Sequence, residues 1–230
     1  MQAIPLRDFS EIQETTSSFF ILRHDVEFSV EKAYALACLE REKLGIQTSY
    51  FFQIRNYTYN PFSAQNAALI KAIHAMGHRI GLHVNMAGVA PQADITGFIL
   101  KEVALFQQGL ALPIDRFSFH RPTQVLLAAY LNIPGLINTY DARYFHFYQG
   151  SPPDALNVYY FSDSEHRWKY GDPRSILEKP LPKIQLLIHP YSWSEEGFDN
   201  IANFRALARE KYGAMLKGMS EECHHFPQEL

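Results

Sequence analysis

Strand and helix patterns alternate through most of this chain of 230 residues. The apolar run at residues 19–22 predicts a strand, Ser29 can cap the helix that follows, and Gly45 ends that helix. Residues 48–52, which are rich in β-branched and aromatic side chains, predict the next strand. Two strands that are joined by a helix lie parallel, because only a long crossover connection brings the chain back to the same end of the sheet. This order favours the α/β class.

The same alternation continues along the chain. Helices are predicted to begin near Ser63 and Asp94, and further strands at residues 78–82, 116–119, 157–161 and 184–188. A final helix carries apolar residues on one side: Ile201, Phe204, Ala208, Tyr212 and Met215. Residues 131–153 show no clear period and predict a long loop. About seven parallel strands with helices over them can close into a barrel.

Length and composition fit one soluble domain that spans residues 1–230, with a core at about 18–217. A net charge of -3 and a pI near 6.4 argue against a protein that binds nucleic acid or anionic lipid, and favour small or glycan substrates. The first residues lack a secretory signal, and no segment is apolar enough to predict a membrane span. Cys38 and Cys223 give no disulfide framework. We therefore expect a cytoplasmic protein.

Four of the ten histidines fall at the carboxyl ends of predicted strands: His24, His83, His120 and His189. In α/β barrels that end carries the active site, which is built from strand ends and the loops after them. A single histidine there is more often a satisfied core or surface residue. Four together favour a functional site.

Two carboxylates stand close together at the end of the first predicted strand. Asp25 and Glu27 are two residues apart, so an extended chain points both to the same face. One could bind a metal and the other could act as a general base, since a nearby cation keeps both ionised. Alternatively, Glu27 only interacts favourably with the dipole of the next helix.

Five segments in order resemble the motifs of the polysaccharide deacetylase (NodB-homology) superfamily. Residues 22–27 (LRHDVE) resemble the first motif in its Asp-x-Asp variant, and residues 77–83 (GHRIGLH) resemble the second. Residues 119–122 (FHRP), 163–168 (DSEHRW) and 186–189 (LLIH) resemble the third, fourth and closing motifs. The five segments span most of the chain.

The resemblance implies a distorted (β/α) barrel that holds one divalent metal, usually zinc, and removes an N-acyl group from a sugar. It implies that Asp25 is the general base and that His189 protonates the departing amine. Arg121 would orient Asp25, and Asp163 would position Arg121. A metal in such a site activates water and polarises the carbonyl oxygen.

The metal ligands are less regular than the family pattern. The resemblance assigns Glu27 and His83 as ligands, although whether Asp25 or Glu27 binds the metal stays open. The second motif normally supplies another histidine four residues after the first, and here that residue is Ala87. Because catalytic zinc usually keeps three protein ligands, we expect His120 to be the third; otherwise the site has lost its metal.

Aromatic loop residues Tyr57, Trp168 and Trp193 are expected to contact the sugar, although loop packing explains such residues equally well. The leading hypothesis is a deacetylase of surface polysaccharide or O-antigen biosynthesis, with a sugar nucleotide or lipid-linked glycan as substrate. One alternative is hydrolysis of another carbon–nitrogen bond, such as an N-formyl group. Another is a non-catalytic glycan-binding protein without metal, which Ala87 permits.

Overall fold

The structure is a computed structural model, and it describes residues 4–89, 94–129, 131–145, 158–178, 181–193, 195, 197, 199–223 and 225–227. Seven parallel strands form one curled sheet in the order β5-β4-β3-β2-β1-β7-β6. The strands are β1 (Phe19–Val26), β2 (Ser49–Phe52), β3 (Arg79–Asn85), β4 (Arg116–His120), β5 (Ile137–Asn138), β6 (Tyr159–Ser162) and β7 (Lys183–Ile188). The sheet order confirms the predicted single-domain distorted (β/α) barrel with seven parallel strands.

Five α-helices connect or follow the strands: α1 (Val30–Leu39), α2 (Ala64–Ala75), α3 (Ile95–Leu110), α4 (Gln124–Ala128) and α5 (Asn200–Glu222). The predicted caps are confirmed, since the side chains of Ser29, Ser63 and Asp94 each accept a hydrogen bond from a backbone N–H in the first turn. A π-helical turn, Glu40–Leu44, extends α1 and ends at Gly45 with a φ of 66°. None of the described helices is long and apolar enough to cross a membrane.

The two faces of the sheet carry different cores. The outer face packs under α1, α2 and α3 through apolar side chains that alternate along the strands, such as Tyr50, Leu82 and Phe117. The inner face is narrow. A Cβ on Gly81 would lie 2.4 Å from the Phe51 ring, so only glycine fits at this point of β3. The barrel is closely packed at this point, and its open end is formed by the carboxyl ends of the strands.

One prediction about a single element is wrong. The stretch at 131–153 is not all loop, because residues 137 and 138 pair with β4 as the short strand β5. The predicted final helix is present as α5, and its buried residues are Asn203 and Leu207, while the apolar residues on the predicted side are exposed, with Phe204 packed against Phe28 and Tyr191. Side-chain period places residues on one side of a helix but does not say which side meets the body of the protein. Residues 146–153 of the predicted loop and Asn157 of the predicted strand lie outside the described residues.

Candidate metal centre and catalytic site

Four strands and the segments after them bring acidic and histidine side chains to the carboxyl end of the sheet. Asp25 lies near the end of β1, His83 lies on β3, His120 ends β4 and His189 directly follows β7. Parallel register aligns these positions, since residue 85 pairs with His120 and residue 24 pairs with residue 188. The side chains of Asp25, His83 and His189 are almost fully buried.

Glu27, His83 and His120 form a compact cluster. One possible ligand atom from each residue lies within 4.8 Å of the others. Oε1 of Glu27 is 2.9 Å from Nδ1 of His120 and 4.0 Å from Nε2 of His83. Burial alone would raise the pKa of the Glu27 carboxyl, but the imidazoles of His120, His83 and His189 hold it well below its usual range. The three predicted ligands are therefore brought together, with an ionised carboxylate among them.

Two buried nitrogen atoms of this cluster, Nε2 of His83 and Nδ1 of His120, make no hydrogen bond of normal geometry among the described residues. The 2.9 Å contact of Nδ1 of His120 with Oε1 of Glu27 is close enough for a hydrogen bond but does not have that geometry. An unpaired buried polar atom is costly unless it serves another purpose. Imidazole nitrogen and carboxylate oxygen are the ligand types that zinc accepts. The cluster fits a divalent cation on this observation.

Asp25 is held by Arg23 and Ser118 rather than by Arg121. Nη2 of Arg23 lies 3.3 Å from Oδ2 of Asp25, and Oγ of Ser118 lies 3.2 Å from Oδ1. The guanidinium of Arg23 also donates to Thr139 and to the hydroxyl of Tyr140. The prediction that Arg121 orients Asp25 is corrected by this contact, because Arg121 is exposed and makes no ion pair with Asp25 or any other described residue.

The role expected of Asp163 also changes. Asp163 is fully buried and contacts His189 instead of Arg121. Its carboxylate lies 2.6 Å from Nδ1 of His189, accepts from the backbone N–H of His189 at 3.0 Å, and accepts from the indole N–H of Trp193 at 2.8 Å. Burial alone would lower the pKa of His189, but Asp163, with further charge from Glu27 and Asp25, raises it to about 9.

The other ring nitrogen of His189 faces the cluster. Nε2 of His189 lies 3.8 Å from Oε1 of Glu27. Because Nδ1 is hydrogen-bonded to Asp163, the Nε2 atom is the one that can exchange a proton with a bound molecule. Asp25 and His189 therefore lie beside the Glu27–His83–His120 cluster as a candidate base and acid.

His24 does not belong to this site, although it is at the end of β1. Alternation along the strand points it to the outer face, where Nε2 lies 2.8 Å from Oε1 of buried Glu40. Thr48 and Tyr50 donate to the other oxygen of Glu40, each at 2.8 Å. The grouping of four histidines reduces to three in the site and one in a structural network below α1.

A cavity of about 1200 Å³ opens above the cluster. Asp25, Glu27, His83 and His189 lie at its base. Its walls are largely aromatic and polar: Phe28, Tyr140, Phe145, Tyr160, Ser164, Glu165, Lys169, Tyr170, Tyr191, Phe204 and Arg121. Arg121 has a φ of 47°, a left-handed conformation that turns the chain sharply after His120.

The aromatic residues expected to contact a sugar lie elsewhere. Tyr57, Trp168 and Trp193 do not line the cavity. Tyr57 is wholly exposed, Trp168 packs with Trp193 at a ring distance of 6.1 Å, and Trp193 donates to Asp163. Trp193 therefore supports the position of Asp163. Tyr140 and Tyr160 are better candidates for substrate contact from their places in the wall.

Two residues of the site were absent from the sequence-based set. Arg23 is two residues before Asp25, and Ser118 is two residues before His120, so each shares a strand face with a predicted residue. The period of two was the signal that could have found them. Tyr140 is one of the aromatic loop residues that the sequence indicates for a sugar contact, whereas Tyr160 carried no such signal, because its position depends on how the edge strand β6 pairs.

No protein-family model matches the chain, and no curated protein matches it. Among solved structures, it is similar to a mutant of a CE4 family pseudoenzyme from Bacillus anthracis with restored enzymatic activity, at 14% identity and a TM-score of 0.47. That match covers 86% of this chain and 65% of the other, so the chain spans less than two thirds of that protein.

Two further structures show a similar degree of likeness. The polysaccharide deacetylase Bc1974 from Bacillus cereus matches at 14% identity and a TM-score of 0.44, over 89% of this chain and 88% of the other. The chitin deacetylase from Colletotrichum lindemuthianum matches at 12% identity and a TM-score of 0.45, over 87% and 85%. Likeness of this size carries no argument about activity, so the function is argued from the site.

Proposed function

We propose that this chain is a metal-dependent hydrolase that removes an N-acyl group, N-acetyl in the first instance, from a sugar. The observation that carries the proposal is the Glu27–His83–His120 cluster with Asp25 and His189 beside it, at the base of an open cavity. A cation site, a candidate base and a candidate acid at one strand end are the parts that amide hydrolysis needs.

The cation would be held by Glu27, His83 and His120, and zinc suits this set of one carboxylate and two imidazoles. Bound there, it would supply Lewis acidity to the amide carbonyl and lower the pKa of a water molecule. Three protein ligands also leave one position open for that water. In this proposal His120 is the ligand that the second histidine of the second motif would otherwise supply, because position 87 is an alanine.

Asp25 is the proposed base. Its carboxylate is held from both sides, by Arg23 at Oδ2 and by Ser118 at Oδ1. These contacts fix the plane of the carboxylate and leave its remaining lone pairs to accept a proton from water in the cavity. Arg23 takes the positioning role that the family resemblance implied for Arg121.

His189 is the proposed acid. A pKa raised to about 9 keeps the imidazole protonated at neutral pH, and Asp163 occupies Nδ1. The proton at Nε2 therefore points to the side of Glu27, where the departing amine nitrogen would lie. Amines leave poorly without a proton, so this donation completes cleavage of the carbon–nitrogen bond.

The substrate proposal rests on the cavity. A volume of about 1200 Å³ has room for more than one sugar ring, and its aromatic walls can stack on sugar faces. Arg121 and Lys169 are cations in the same wall, and they suit a substrate that carries phosphate. A sugar nucleotide or a lipid-linked glycan in surface polysaccharide or O-antigen biosynthesis meets both conditions. A cytoplasmic location is part of this proposal.

The test is release of acetate from N-acetylated sugar nucleotides and oligosaccharides, measured before chelation, after chelation and after zinc is restored. We expect activity that is lost on chelation and returns with the metal. Release of formate from N-formyl analogues in place of acetate would favour the other carbon–nitrogen hydrolase. Metal-free protein that binds sugars and releases no acid would favour a glycan-binding protein and contradict the proposal.

A further inference from the structure

The hydroxyl of Ser118 lies between two groups of the proposed site. Ser118 is fully buried on β4 and pairs in register with His83 on β3. Its Oγ is 2.7 Å from Nδ1 of His83 and 3.2 Å from Oδ1 of Asp25. Nδ1 of His83 is 3.7 Å from the nearer oxygen of Asp25, which is too long for a direct hydrogen bond. Ser118 is therefore the link between them.

Counting protons along these hydrogen bonds shows which ring nitrogen of His83 donates to Ser118. A serine hydroxyl has one proton to donate. Asp25, ion-paired with Arg23, accepts only, so the hydroxyl proton goes to Asp25. The lone pairs of Oγ then remain for His83, and the short contact requires a proton on Nδ1. A neutral imidazole with its proton on Nδ1 has a bare lone pair on Nε2.

That bare lone pair is in the right place for a ligand. Nε2 of His83 is buried, makes no hydrogen bond among the described residues, and faces Glu27 and the ring of His120. The opposite tautomer would point an N–H at the cation position and would leave Nδ1 and Oγ as two acceptors in contact. Metal-binding histidines generally depend on such an outer hydrogen bond to set ring orientation.

We propose that Ser118 is a positioning residue that sets the tautomer of His83 and, through the same hydroxyl, the orientation of Asp25. The inference rests on the proposed function, because it assumes that His83 binds a cation. It adds a residue outside the predicted set and assigns one hydroxyl to both the metal side and the base side of the site. Removing that hydroxyl affects the two sides together.

The first experiment reads the tautomer directly. In metal-free protein, at a pH where His83 is neutral, two-bond proton–nitrogen-15 correlations distinguish an imidazole protonated on Nδ1 from one protonated on Nε2. We expect the Nδ1–H form in the wild type and a shift towards the Nε2–H form in Ser118→Ala. A wild-type His83 protonated on Nε2 overturns the inference without recourse to any variant.

The second experiment measures zinc affinity by competition with a chromophoric chelator. Loss of an outer hydrogen bond typically costs about 10- to 100-fold in metal affinity, and we expect a loss of that size in Ser118→Ala. Ser118→Thr keeps the hydroxyl and should recover most of it. The matched control is Ser49→Ala, which removes another buried strand hydroxyl that contacts Arg116 instead, and should bind zinc as the wild type does.

The outcomes separate this inference from the proposed function. Equal zinc affinity in wild type and Ser118→Ala, with zinc-dependent activity retained, overturns the role of Ser118 and leaves the proposed hydrolase standing. A wild type that binds no zinc overturns both. A shift in tautomer together with weaker zinc binding in Ser118→Ala, absent in Ser49→Ala, supports the inference.

Discussion

Nδ1 of His189 lies 2.6 Å from Oδ1 of Asp163, and both side chains are buried. This pair comes from two different strand ends, β6 and β7, and the same carboxylate also accepts the backbone N–H of His189. Charge-assisted hydrogen bonds of this length are strong. The ring of His189 is therefore held in one orientation, with its free nitrogen towards the cavity.

His189→Ala should lower kcat by about 10²- to 10⁴-fold, the usual cost of losing a general acid. Zinc content should stay at the wild-type level, since His189 is not one of the proposed ligands. Asp163→Asn should lower kcat in the same direction, because an amide cannot stabilise a protonated imidazole. Steady-state kinetics with elemental analysis checks both, and His74→Ala on α2 is the control. Wild-type turnover in His189→Ala contradicts the assignment.

His83→Ala should abolish stoichiometric zinc binding. The wild type should hold about one zinc per chain after chelation and reloading, because the site has one set of three ligand atoms. Elemental analysis of both proteins gives the answer. His78→Ala removes the other histidine of the same motif, which faces the outer network, and should retain zinc if it folds. Equal zinc in wild type and His83→Ala would refute this ligand.

His120→Ala should weaken zinc binding by orders of magnitude, because it leaves two protein ligands where catalytic zinc usually keeps three. Ala87→His alone should bind zinc as the wild type does, since His120 already completes the set. Chelator competition on the two variants makes the comparison. Unchanged affinity in His120→Ala would show that the missing motif histidine has no substitute at position 120.

Asp8→Asn should destabilise the protein at neutral pH and much less in acid. Arg116 outweighs the effect of burial and lowers the pKa of Asp8 from 3.8 to about 2. A depressed pKa contributes stability above about pH 4 that is lost as the pH falls through about 2, and the shift corresponds to about 2 kcal/mol.

Urea unfolding of wild type and Asp8→Asn at several pH values tests this. The two stabilities should converge as the pH falls. Asp115→Asn, which removes a more exposed partner of Arg116, should cost less because solvent screens that pair. A constant difference between wild type and Asp8→Asn from neutral pH to pH 3 would contradict the expectation.

Glu40→Ala should lower the free energy of unfolding by at least about 3 kcal/mol, because three buried donors lose their acceptor and each buried donor left unpaired costs about 1–3 kcal/mol. His24, Thr48 and Tyr50 would lose their common acceptor inside the structure. Glu42→Ala, exposed on the same π-helical turn, should change stability by less than about 0.5 kcal/mol. Denaturant unfolding measures both. Similar stabilities for the two variants would rule out a structural role for the network.

The part of the site that local sequence could predict lies at the strand ends. Asp25 and Glu27 were paired by the strand's period of two, and His83 and His120 were found from their positions at the ends of predicted strands and in the motifs. The same rule, applied to each neighbour, would have added Arg23 and Ser118 and would have removed His24, which points to the opposite face from Asp25. These errors came from counting residue types at strand ends without following the alternation.

The contacts that sequence could not predict depend on loops and on register. Asp163 and His189 are 26 residues apart, and their contact requires β6 and β7 to pair as neighbours in one particular register. Arg121 does not contact the proposed general base, Asp25. Its own backbone is left-handed, so the chain turns sharply directly after β4, and no residue type there indicates that turn. The same limit applies to Tyr160.

The order of the sheet separates the proposed reacting groups from two aromatic residues of the cavity wall. Asp25, His83 and Ser118 lie on central strands, where neighbours on both sides fix the backbone. Tyr140 follows β5 and Tyr160 lies on β6, the two edge strands of the described sheet. Under the proposed function, exchange of the edge segments should change which sugar substrate is bound, while the groups at the centre stay in place. An engineer who seeks a new substrate sugar would begin at the edges.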